Sequence, residues 1–89
     1  MIERKRRNYG AFLMILIVGM SNKELVKLGS IIRDQRTSQN LTQIELASKA
    51  GVDRNYIGML ERGERNPSYL SLLKIAKGLC ITVDELIRQ

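Results

Sequence analysis

Residues 41–63 read LTQIELASKAGVDRNYIGMLERG. Within them, Thr42-Gln43-Ile44-Glu45 has the spacing of a capping box. The Thr42 hydroxyl accepts from the Glu45 amide, and the Glu45 side chain returns the bond to the Thr42 amide. A helix over 43–50 follows, with Ile44, Leu46, Ala47 and Ala50 as its expected inner face and Gly51 as its stop. Asp53 is an N-cap residue for a second helix over 54–62, stopped by Gly63. Two short helices are thus joined by Ala50-Gly51-Val52-Asp53. Gly51 supplies the positive φ that redirects the chain. Ala47 is small enough for the second helix to cross closely over the first, and Val52 and Ile57 fill the angle between them. The outer face of the second helix is left to Arg54, Asn55, Gly58 and Met59.

Working outward, Leu25, Leu28, Ile31 and Ile32 recur at helical spacing and predict a helix over 22–38. Asn40 then suits a left-handed residue past its end. On the other side, Ser68 follows Pro67 and caps a helix over 69–79, with an expected stripe of Tyr69, Leu72, Leu73, Ala76 and Leu79. Thr82-Val83-Asp84-Glu85 is a second capping box and opens a short fifth helix. Five helices with short connections and no alternating strand pattern make an all-α domain over 22–89. A glycine in the tight turn between two short helices is the mark of a helix-turn-helix. Such turns also occur in proteins that bind no DNA.

The 89 residues suffice for one small domain. The formal net charge of +6 favours an anionic partner. Half of it sits in residues 1–7, so the body is only mildly basic. Cys80 is the single cysteine and histidine is absent, which excludes an intrachain disulfide, a His-based catalytic pair and a Cys/His zinc site. No phosphate-binding glycine loop or acidic metal motif is present, so we expect no enzyme, no metal, no cofactor and no small-molecule substrate. The unpaired cysteine fits a reducing cytoplasm.

Residues 1–21 are read as an extension outside the domain. They hold a basic cluster, Arg4 to Arg7, followed by an apolar run from Ala11 to Val18. The run is too short to span a bilayer, which takes about 20 apolar residues, and no small-residue cleavage pattern follows it. The segment is expected to be disordered or loosely packed, or to precede a true start at Met20. A membrane role is not expected.

From Leu25 to Ile87 the chain resembles the Cro/C1-type (XRE-like) helix-turn-helix family. The resemblance rests on Leu41-Thr42-Gln43-Ile44-Glu45-Leu46-Ala47, Ala50-Gly51-Val52-Asp53, Tyr56-Ile57, Leu60-Glu61-Arg62-Gly63, Asn66-Pro67-Ser68 and Thr82-Val83-Asp84-Glu85-Leu86. Within the family, 53–57 with 61–68 looks most like the controller proteins of restriction–modification systems. The resemblance implies a compact five-helix bundle of the lambda-repressor kind that binds double-stranded DNA as a homodimer on a pseudo-palindromic operator. It implies base contacts from Arg54, Asn55 and Met59, the first two by pairing with guanine and adenine edges. It implies backbone contacts from Gln43, Tyr56, Arg62, Arg65 and Asn66. Arg36 matches a position that pairs with Glu61 inside the fold. Gly58 and Cys80 depart from the family pattern, as does the exposed-side Leu70.

The fifth helix is expected to expose Val83, Leu86 and Ile87, which are therefore the candidate dimer interface. The helix over 69–79 has more apolar positions than one buried stripe requires, which points the same way. Two other functions fit less of the sequence. One is an antitoxin-type interaction module that regulates its own promoter. The other is a regulator tethered to a membrane by residues 1–20.

Overall fold

The computed structural model describes residues 20–87; the expectations for residues 1–19 fall outside them. Five helices form among these residues: α1 Asn22–Ser38, α2 Gln43–Ala50, α3 Arg54–Glu61, α4 Tyr69–Leu79 and α5 Val83–Ile87. Each starts where a polar side chain can take the free amides of a first turn. Thr42 and Glu45 close the expected box at 2.8 and 3.0 Å, and Thr82 with Glu85 does the same at 2.9 and 3.2 Å. Asp53 Oδ1 accepts from the Asn55 amide at 2.7 Å. A third box, Ser21 with Glu24, opens α1 and was not anticipated. The helices end on left-handed residues: Asn40 after α1, Gly51 after α2 and Cys80 after α4. Cys80 takes φ 60° although it carries a Cβ, which costs an L-residue about 1 kcal/mol or more.

The core is built by Leu28 and Ile32 from α1, Leu46 from α2, Ile57 and Leu60 from α3, Leu72, Ile75 and Leu79 from α4, and Leu86 from α5. α2 lies on α4 and on α3, while α1 crosses α3. That last crossing is set by Gly29. A Cβ there would overlap the backbone carbonyls of Leu60 and Glu61, the latter at 2.7 Å, so only glycine lets the helices come this close.

Three expectations about facing are corrected. Ile44 is 56% exposed rather than inward, because α2 turns Leu46, Ala47 and Ala50 to the core. The buried stripe of α4 is Leu72, Ile75, Ala76 and Leu79, a clean i, i+3, i+4, i+7 set. Leu73 falls outside it and joins Leu70 on a second, exposed face. Finally, Val83 and Leu86 are not on the surface. α5 folds back against α4 and α1, which buries Val83 and seals Leu86 completely, leaving Ile87 half-buried. Val83 and Leu86 thus serve the core of a single chain.

Candidate nucleic-acid interface

Residues 54, 55, 58 and 59 of α3 and its C-cap residue 62 sit at i, i+1, i+4, i+5 and i+8, so they share one face. Ile57, Leu60 and Glu61 take the other and hold α3 to the body. The shared face forms one wall of a cleft of about 710 Å³. Thr42, Gln43 and Ile44, at the N-terminus of α2, form the facing wall, and Arg36 and Arg62 also line it. Five of the expected DNA-contacting residues, Gln43, Arg54, Asn55, Met59 and Arg62, therefore meet in one place. Gly58 keeps the cleft open, since a Cβ there would lie 3.2 Å from the Arg62 guanidinium and 3.6 Å from Gln43 Oε1.

Beside the cleft, Arg65 stacks over the Tyr56 ring, with its guanidinium carbon 5.5 Å from the centroid. One Arg65 nitrogen also comes to 4.0 Å from the Met59 sulfur. Tyr56, Met59 and Arg65 thus make a second cluster continuous with the first. Asn66 is exposed in the loop before α4 and does not line the cleft.

Beneath the cleft lies a carboxylate. Glu61 has a fully buried side chain. It accepts from Arg36 Nε at 2.6 Å, from a terminal Arg36 nitrogen at 3.0 Å and from Gln43 Nε2 at 3.0 Å. Arg33 Nε approaches it at 3.5 Å. Arg36 also donates to the Leu41 carbonyl at 2.8 Å, tying α1 to the start of the motif. Burial pushes the Glu61 carboxyl up, but the hydrogen bonds from Arg36 and Gln43 and the charges of Arg36 and Arg33 outweigh it. The carboxyl ends below its ordinary range. The hydrogen bond to Glu61, and its charge, raise Arg36 against the opposing effect of burial.

Two parts of this network were missed from the sequence: Arg33, and the bond by which Glu61 orients Gln43. A signal for Arg33 was present. Gly29, Arg33 and Arg36 are spaced i, i+4, i+7, so the face of α1 that touches α3 at Gly29 carries both arginines to Glu61.

A family model described as helix-turn-helix matches residues 32–86, which span α2, α3 and the cleft between them. The chain belongs to the Cro/C1-type helix-turn-helix family. It is a transcriptional regulator of that family. It is 40% identical to the control protein C.SmaI of Serratia marcescens, over 76% of this chain and 79% of that one. It is 35% identical to an uncharacterized HTH-type transcriptional regulator of Sinorhizobium fredii, over 76% of this chain and 86% of that one. The crystal structure of the restriction–modification controller protein C.AhdI from Aeromonas hydrophila superposes with a TM-score of 0.71 at 45% identity. The match covers 72% of this chain and 97% of that one. In this helix-turn-helix protein, α2 and α3 are the motif and α3 is the element whose outer face is free. No helix among the described residues is long and apolar enough to cross a membrane.

Proposed function

We propose that the protein is a homodimeric, sequence-specific regulator that reads a pseudo-palindromic operator in double-stranded DNA and controls a restriction–modification operon. The observation that carries this reading is the outer face of α3, where Arg54, Asn55 and Met59 line one cleft with Gln43 and Arg62. Arg54 and Asn55 are exposed in the first turn of α3, the part of a recognition helix that meets base edges. Arg54 takes guanine O6 and N7, and Asn55 takes adenine N6 and N7. Gln43 opens α2, where its free side-chain N–H and the helix N-terminus suit a phosphate. Tyr56, Arg62, Arg65 and Asn66 reach backbone on the other side.

A second groove, of about 700 Å³, runs between α4 and the start of α5. It contains Leu70, 61% exposed, Leu73, 37% exposed, and the half-buried Ile81. A two-fold axis over this face covers apolar surface that a small monomer leaves wet, and it sets two α3 helices on one side of the duplex. Ile87 remains a candidate for that interface. The likeness to C.SmaI and C.AhdI supports the restriction–modification setting. DNA is reached in the cytoplasm.

Selection from a random duplex pool tests the reading. The expected product is an inverted repeat with half-sites about 34 Å apart, one turn of the helix. Its promoter should lie beside genes for a methyltransferase and an endonuclease. A pool that shows no enrichment, or only single unpaired half-sites, rejects the model.

A further inference from the structure

Arg62 lies in the cleft, but it is already occupied. Its Nε donates to one Glu64 oxygen at 2.9 Å and a terminal nitrogen donates to the other at 3.1 Å. The backbone brings the two residues close. Arg62 is the C-cap of α3, Gly63 turns the chain at φ 74°, and the Glu64 amide returns to the Met59 carbonyl at 2.9 Å. Glu64 is thereby held against the last turn of α3, and its carboxylate comes round to the arginine. On the other side, the missing Cβ of Gly58 leaves the slot in which the Arg62 guanidinium lies.

We propose that Glu64 is a built-in brake on DNA affinity: it holds the charge of Arg62 until a phosphate displaces it. The proposal rests on the DNA-binding reading above. Two opposing effects meet here. Glu64 orients Arg62, which helps binding, and it places a negative charge beside a polyanion, which hinders it. Both side chains are about half exposed, so the ion pair is weak and the orientation it provides is small. The repulsion is not local. At about 0.1 M salt the screening length is near 10 Å, and Glu64 lies within that distance of any phosphate that Arg62 touches. Repulsion therefore wins. Because the brake acts through charge, it weakens binding to all sequences alike and leaves base discrimination to Arg54 and Asn55.

The test compares wild type, Glu64→Gln, Arg62→Ala and the double variant on a mixed-sequence duplex of about 30 base pairs and on the selected operator. Glu64→Gln keeps the shape of the side chain and one acceptor for Arg62, and removes the negative charge. It should tighten binding to both duplexes about two- to fivefold at ~0.1 M salt. It should steepen the slope of log affinity against log salt by about 1. Arg62→Ala should cost more in the Glu64→Gln background than in the wild type, because only there is the arginine unopposed. Unchanged or weaker binding by Glu64→Gln, with wild type binding normally, overturns the brake alone. Wild type that fails to bind either duplex overturns the DNA-binding reading and the brake together.

Discussion

Arg36 and Glu61, 25 residues apart in sequence, meet through two hydrogen bonds of 2.6 and 3.0 Å at the point where α1 crosses α3. The Arg36 side chain is only 12% exposed and the Glu61 side chain is fully buried. The pair joins the helix outside the motif to the helix that presents Arg54. Since Glu61 also accepts from Gln43 at 3.0 Å, one carboxylate fixes the relative placement of all three helices that frame the cleft.

Removing Arg36 leaves that carboxylate buried with only Gln43 and the half-exposed Arg33 to compensate it. Arg36→Ala should destabilise the domain by about 3 kcal/mol, the lower end for breaking a buried pair, because Arg33 can lean further in. Urea titration measures this against Lys49→Ala, an exposed control. Equal midpoints for the two variants would show that the pair contributes nothing.

The same carboxylate makes stability depend on pH. The folded Glu61 ionises more readily than the unfolded one, whose ordinary value is 4.5. Its contribution is therefore fully present above that value and is lost as pH falls through the lower folded value. Melting curves of wild type and Glu61→Gln should differ most near about pH 7, and the gap should narrow once pH falls below 4.5. A gap that stays constant over this range counts against Glu61 as a source of acid sensitivity.

Gly29 sits where α1 meets the end of α3, against the Leu60 and Glu61 carbonyls. Alanine would gain about 1 kcal/mol in helix propensity, but its Cβ meets backbone, which cannot rotate away. Overpacking costs about 1–3 kcal/mol, so Gly29→Ala should be net destabilising. It should also shift Glu61 and weaken DNA binding. A variant that melts at or above the wild-type temperature would show that the helices separate freely.

The dimer can be separated from the core by choice of leucine. Leu70 and Leu73 are exposed on α4, whereas Leu86 is fully buried. Leu70→Asp with Leu73→Asp should give folded monomers that lose most operator affinity in sedimentation and binding assays. Leu86→Asp should instead unfold the chain, because it buries a charge without a partner. A double variant that still sediments as a dimer would place the interface elsewhere.

Arg54 is expected to read one base pair. Arg54→Ala should lose about 1–3 kcal/mol of discrimination at a single operator position while retaining weak binding to other DNA. Uniform loss across all sequences would assign Arg54 to a phosphate instead.

The local grammar of the chain was readable without coordinates. The capping boxes at Thr42 and Thr82, the N-caps at Asp53 and Ser68, and the stops at Gly51 and Gly63 each depend on neighbours within four residues, and these interactions fix where helices begin and end. The single face of α3 that carries Arg54, Asn55, Gly58 and Met59 follows from helical periodicity alone. What the sequence reading misassigned was which apolar residues face the core. Leu73 against Ile75, Ile44 against Leu46, and the burial of Val83 and Leu86 are decided by the angle at which helices cross. That angle depends on close approaches such as Gly78 of α4 against the Ala50 backbone of α2, 28 positions away, where a Cβ would lie 3.1 Å from the Ala50 amide nitrogen. The pairing of Arg36 with Glu61 was implied by the family resemblance and is borne out, but no contact between neighbours along the chain would have shown it. Only the packing of α1 on α3 brings Arg33 and Arg36 to Glu61, because attraction between buried charges depends on distance in space and not along the chain.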